Sequence, residues 1–161
     1  MPKLVVWSSP DLDAIQIGIS ENRPGRNPRT LTDDERIAHN VSKWIPDGTP
    51  YALVDEGTFD LLDRYFRAAW RYNAASGASV DMTKARAIHM DKIRLVRNEE
   101  LVKKDVPFMR AVEAGDASAQ ATIATEKQAL RDIPATFDIT TDAGTPEQLK
   151  AKWPAELPAR E

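Results

Sequence analysis

Between Met82 and Lys104 the chain contains neither glycine nor proline, which commits the start of its second half to a long helix. Asp81 stands where an N-cap belongs. Ile88, Leu95 and Val102 recur every seven residues, and Ala85, Ile93 and Val96 widen the apolar sector. A seven-residue stripe with little aromatic support is the spacing by which one helix offers a seam to another chain. Asp105-Val106-Pro107 then interrupts the run, because proline lacks the N–H that an interior helical position needs. A separate short helix is expected from there, with Pro107 near its first position. Phe108, Met109 and Val112 would form its one face, and Gly115 would stop it.

Asp116 or Ser118 caps a third helix, which is expected to reach about Asp132 with Ala119, Ile123 and Leu130 inward and to end at Pro134. The stretch from Phe137 to Thr141 reads as extended chain or loop. Thr145-Pro146-Glu147-Gln148 is a capping pattern with proline at the first helical position, and it opens a short helix toward Trp153. The tail Pro154-Ala155-Glu156-Leu157-Pro158 cannot be regular helix.

The first half reads differently. Lys3 to Trp7 is a short apolar strand, and Ile15, Ile17 and Ile19 alternate onto one face of a second. Ser20 to Arg29 is a Pro- and Gly-containing loop. Thr32 caps a helix whose first turn holds Asp33, Asp34 and Glu35, with Glu35 at the capping-box position. Ile37, Val41 and Trp44 or Ile45 would line its inner face before Pro46-Asp47-Gly48 ends it. Tyr51 to Val54 is another strand. Thr58 to Tyr72 is expected to be helical, with Leu62, Phe66 and Trp70 on one stripe. Asn73 to Ser79 is small, polar and glycine-containing and reads as a linker or turn. Eight aromatics from Trp7 to Tyr72 precede that stretch, and only Phe108, Phe137 and Trp153 follow it, so the first half should hold the better core. The expected fold class is α+β: a small mixed domain over residues 1–76, with short strands and two helices, and a mainly helical domain over 77–161.

Composition excludes several kinds of function. The 161 residues carry 22 Lys and Arg against 25 Asp and Glu, a net charge of −3 that argues against a dedicated nucleic-acid binder. No apolar run approaches the roughly 18–20 residues that cross a bilayer, and the apolar stretch near the N-terminus is too short for a signal peptide. There is no cysteine, hence no disulfide, thiolate chemistry or Cys-ligated metal, and a cytosolic protein is expected.

Catalytic patterns are missing. His39 and His89 stand alone, without the helical spacing that pairs metal ligands, and read as ordinary helical histidines. Asp11 and Asp13 read as turn acids, and Asp60, Asp63, Glu99 and Glu100 as partners of nearby Arg and Lys on helix surfaces. No phosphate-cradling glycine motif or nucleophile elbow is present. The expectation is a non-enzyme with no cofactor and no metal site. Arg23, Arg26 and Arg29 recur every three residues in the Pro-Gly loop and could grip a phosphate or an acidic partner surface, although a solvated loop is the commoner reading.

Several phrases carry a resemblance. They are Ala85-Arg86-Ala87-Ile88-His89-Met90-Asp91-Lys92-Ile93-Arg94 with Arg97-Asn98 and Leu101, then Leu130-Arg131-Asp132-Ile133-Pro134, and the tail from Trp153 to Pro158. Upstream, Pro50 to Asp55 and Asp63 to Trp70 join them. Together they resemble the tail assembly chaperones and tail-fibre-assembly-like proteins of tailed bacteriophages. The resemblance spans roughly residues 50 to 158 and leaves the first 49 unmatched. It implies a non-catalytic protein that helps a tail or tail-fibre protein fold, trimerise or join the particle, in the host cytoplasm or retained in the virion tail. A permanent structural component at the baseplate, neck or fibre attachment is the alternative. The candidate partner-binding residues are Ile88, Leu95, Val102, Arg131, Asp132, Trp153 and the loop arginines Arg23, Arg26 and Arg29. A tail or tail-fibre protein is the expected partner, homo-oligomerisation stays open, and neither nucleic acid nor membrane is expected.

Overall fold

Leu4, Val5, Val6 and Trp7 are all buried, so strand β1 (Lys3–Ser8) is covered on both faces. That requires a central position, and β1 has it: β2 (Ile15–Ile19) pairs antiparallel on one side and β3 (Tyr51–Asp55) on the other. These coordinates come from a computed structural model and describe residues 3–8, 15–19, 32–55 and 63–160. The fold is α+β and divides into two compact units, Met1–Asp81 and Met82–Glu161.

In the first unit, side chains two apart on one strand share a face of the sheet. Val5 and Trp7 therefore face the same way, and helix α1 (Asp33–Trp44) covers them with Val41 and the capping residue Ile45. The capping box at its start is complete: Thr32 Oγ1 accepts from Glu35 N, and Glu35 Oε2 accepts from Thr32 N at 2.8 Å. The bonds that Glu35 Oε2 accepts from Thr32 N and from the Thr32 hydroxyl hold the Glu35 carboxyl below its ordinary value.

One expectation in this unit is corrected. The stripe Leu62-Phe66-Trp70 does not form one helix. Asp63 caps a short 3-10 stretch, Arg64–Ala69, by accepting from Tyr65 N; the stretch is kinked at Phe66, whose backbone is not helical (φ −107°, ψ 23°), and Trp70 already begins strand β4 (Trp70–Asn73). Leu62 and the start of that expected helix lie outside the described residues. Of the two readings of Asn73 to Ser79, linker or turn, the structure has the turn, within a hairpin: β4 pairs antiparallel with β5 (Gly77–Val80). Asn73 Oδ1 accepts from Ala75 N and Ser76 N in the turn. Gly77 is needed there twice over. Its φ is +76°, and a Cβ would stand 2.4 Å from Val54 Cγ1, so the hairpin approaches β3 too closely for any side chain. Because β5 belongs to the hairpin, the first unit closes at Asp81.

The second unit is a helical hairpin. Helix α2 (Met82–Glu113) runs through Pro107 without a break, which corrects the expected restart, and α3 (Ala117–Thr136) likewise runs past Pro134. Gly115 at φ +67° turns the chain, and Asp116 caps α3 by accepting from Ala119 N. The core lies at the base of the hairpin, where Met90, Ile93, Leu130, Ile133 and Leu157 are buried with Val96, Leu101, Phe137, Ile139 and Trp153 packed against them. The chain after α3 closes this base. Asp138 turns it by accepting from Thr140 N, Thr140 Oγ1 and Thr141 N, which holds its carboxyl well below the usual range. Helix α4 (Pro146–Ala151) follows, with the Thr145–Gln148 capping box formed as read.

Candidate protein-docking face of the helical arm

At about 100° per residue, Ile93, Lys104, Phe108 and Ala111 fall on one side of α2 and Leu95, Val102, Val106 and Met109 on the other. The first set faces α3. Beyond the apolar base, that interface is polar and small. Lys104 pairs with Glu126 at 2.7 Å and Lys127 with Asp105 at 2.5 Å, while the Lys127 ammonium lies 5.5 Å from the centre of the Phe108 ring. Gln120 Nε2 donates to the Ala111 carbonyl at 3.1 Å. The arm is thus tied by charges and by short side chains, with Ala119 and Ile123 half-buried between the helices.

The second set is left outside. Leu95 is 63% exposed, Val102 66%, Val106 56% and Met109 55%. The row from Leu95 to Met109 is about 21 Å long at 1.5 Å per residue. Such a row on a preformed helix costs little further ordering when another surface covers it, and each side chain then gains roughly 1.5–3 kcal/mol on full burial. Its border is charged. Lys103 donates to Glu100 at 2.6 Å, a bond that raises the Lys103 pKa, and Arg94 pairs with Asp91 at 2.8 Å.

The residues singled out in the sequence are distributed unevenly. Leu95 and Val102 stand on this outer face, and Ile88, one heptad earlier, is half-buried. Ala85 and Ile93, which had seemed to widen the same stripe, are buried instead. Arg131 and Asp132 are exposed on α3, where Asp132 accepts from Gln128 Nε2 at 2.8 Å. Trp153 is part of the base: its indole N–H donates to the Pro158 carbonyl at 2.9 Å, and Arg160 lies 5.2 Å from its ring centre. The structure therefore does not bring Arg131, Asp132 or Trp153 to the outer face of α2. Arg23, Arg26 and Arg29 lie outside the described residues, as do Asp11 and Asp13.

Sequence reasoning missed Val106, which it placed in the interruption at Asp105-Val106-Pro107, and Met109, which it assigned to a separate short helix starting there. The signal was present, since Met109 follows Val102 by the same seven residues. It also grouped Phe108, Met109 and Val112 on one face, whereas Phe108 is half-buried and Met109 and Val112 are exposed.

His89 is wholly buried, with Nε2 2.7 Å from the Lys152 carbonyl and its ring edge-on to Trp153 at 6.0 Å. A carbonyl accepts, so this nitrogen carries the proton. Burial lowers the His89 pKa, opposed by the Lys152 bond and reinforced by the nearby charges of Arg160 and Lys92. The imidazole pins the C-terminal segment to α2. His39, by contrast, is exposed on α1. An open hollow of about 290 Å³ is lined by Glu100, Lys104, Glu126, Ala129, Leu130 and Glu156. Two of its carboxylates, Glu100 and Glu126, each already hold a lysine. Among the described residues no group of three or more His, Asp or Glu could hold a metal ion, and no helix is long and apolar enough to cross a membrane.

No known protein family, curated protein or solved structure matches the chain.

Proposed function

We propose that this chain is a non-catalytic assembly protein of a tailed bacteriophage, which binds a tail or tail-fibre protein through its helical arm and assists its folding or incorporation. The observation that carries the reading is the outer face of α2, where Leu95, Val102, Val106 and Met109 are each more than half exposed on one continuous helix. A folded arm that spends charges on its own interior and turns large apolar groups to solvent is suited to docking another helix. The tail or fibre protein as partner follows from the resemblance of the α2, α3 and tail phrases. Retention in the finished particle is the variant of the same reading.

The test is capture of the tail and tail-fibre proteins of the same phage by the tagged chain, beside its Leu95→Asp/Val102→Asp double variant. Specific capture by the parent chain and loss in the double variant, with unchanged circular dichroism, is the expected result. Equal capture by both chains would remove the arm from the mechanism, and no capture together with absence from purified particles would sink the reading. Copies counted by mass spectrometry in purified particles separate a transient chaperone from a virion component.

A further inference from the structure

Residues 152–160 fold back on themselves. Trp153 Nε1 donates to the Pro158 carbonyl at 2.9 Å, Leu157 N donates to the Pro154 carbonyl at 3.2 Å, and the Arg160 guanidinium lies 5.2 Å from the Trp153 ring centre. The segment therefore docks as one piece, with Leu157 in the base of the hairpin and Pro154 buried. Three polar ties hold it: His89 donates to the Lys152 carbonyl at 2.7 Å, the Lys152 ammonium donates to the Asp138 carbonyl at 3.1 Å, and Arg160 donates to the Lys150 carbonyl. Of the three donors His89 alone is wholly buried, and it is the one whose charge changes near neutral pH. We propose that residues 152–160 are a latch that acid opens: protonation of His89 releases them from the helices and bares the apolar base of Met90, Ile93, Leu130 and Ile133.

The charges around the imidazole set the direction. Helix α2 brings Arg86 and Lys92 within one turn of His89, α4 brings Lys150, and the segment itself brings Lys152 and Arg160. The carboxylates on these elements are engaged or point elsewhere. Asp91 pairs with Arg94, Asp138 accepts from Thr140, Thr141 and Lys152, Glu147 is exposed on α4, and Glu156 lines the hollow beside Lys104. From α3 the base receives the apolar Leu130 and Ile133. A proton added at Nδ1 keeps the Lys152 bond, since Nε2 already donates it, but sets a positive charge beside Arg160 and Lys92 in a buried site. Release removes Arg160 and admits water, so the released ring holds its proton more tightly than the docked one. Below the ordinary histidine value of 6.5 the released form gains on the docked form by up to tenfold per pH unit. The two helices keep their own contacts, Lys104 with Glu126 and Lys127 with Asp105 among them, and the hairpin stays formed. This inference does not depend on the role proposed for the outer face of α2.

Trp153 is the one tryptophan of the second unit, and Trp7, Trp44 and Trp70 lie in the first. Fluorine NMR of the full chain carrying fluorotryptophan therefore reads both units in one spectrum, and the shift between light and heavy water gauges the exposure of each ring. From pH 7.5 to 5 the Trp153 signal should gain exposure over the range in which the His89 ring proton titrates, while the other three signals and the circular dichroism hold. His89→Gln, which takes no proton, should show no such change. Leu157→Ala weakens docking and should raise the released fraction about tenfold or more at every pH, which brings the acid response into view even where the parent stays largely docked. A Trp153 shielded down to pH 5 in both the parent and Leu157→Ala would overturn the proposal. So would an equal response in His89→Gln, or exposure that comes only with loss of the helical signal. If His89→Gln does not fold, exposure of Trp153 out of step with the His89 titration in the parent overturns it equally.

Discussion

The base and the arm of the helical hairpin are built from the same two helices by opposite rules. At the base, Met90, Ile93, Leu130 and Ile133 point inward, and the C-terminal segment seals them with Leu157 and Trp153. Along the arm the inward side holds Lys104, Lys127, alanines and the half-buried Phe108 and Ile123, with Asp105 and Glu126 pairing the lysines, while Leu95, Val102, Val106 and Met109 stand outside. Apolar burial is strong and non-directional, whereas exposed ion pairs are weak but fix which residues meet. The base therefore supplies most of the stability, and the arm keeps its register while leaving an apolar face for another chain. Pro107 fits the contrast. An interior proline costs about 3 kcal/mol in a helix, and this one stands in the weaker half. The helix continues because α3 holds both sides of it, through Lys104 and Asp105 before it and Phe108 and Ala111 after it.

The largest expected effect comes from Ile93→Ala, which opens a cavity in the base and should cost about 3 kcal/mol in urea unfolding followed by circular dichroism. Val102→Ala is its counterpart in the arm and should change stability by less than about 0.5 kcal/mol in dilute solution. Equal costs would mean that the two regions do not differ as described. Replacing Pro107 with alanine restores a backbone donor where no core compensates, and a gain of about 1–3 kcal/mol is expected in the same assay. Thr145→Ala removes one capping box and should cost about 1 kcal/mol, with faster amide exchange confined to α4 and the segment it holds at the base.

The base should also respond to pH. Folding lowers the His89 pKa, so the folded state binds fewer protons than the unfolded chain. Its contribution is complete above the ordinary value of 6.5 and is lost as the pH falls below it, by at most about 1.4 kcal/mol per unit. Thermal melts from pH 7.5 to 5 should show this loss in the parent chain and a flatter profile in His89→Gln. A small effect is also expected in the arm: Lys127→Ala breaks its pair with Asp105 and should cost under about 1 kcal/mol, with most of the difference gone in high salt.

Local signals in the sequence carried well where the physics is local. Both capping boxes were legible as Thr32–Glu35 and Thr145–Gln148, because a cap depends on residues three apart. The strands at Lys3, Ile15 and Tyr51 were legible from alternation and apolar runs. The heptad Ile88-Leu95-Val102 was legible too, but its side was not: Ile93 had been grouped with it and lies in the core. Trp70 misled for the same reason, since four-residue spacing after Phe66 looks helical until a strand partner, Val80, claims the backbone.

By itself the sequence determined the α+β composition of the chain, the helix starts, the missing cysteine and the seven-residue repeat. These depend on residue type and on neighbours within a turn or two. Only the tertiary structure decided that α2 would pass through Pro107, that His89 would be buried under Lys152 and Trp153, and that Leu95, Val102, Val106 and Met109 would face outward together. Those outcomes are set by where α3 and the C-terminal segment lie, and one helix has no inside until a second one packs against it.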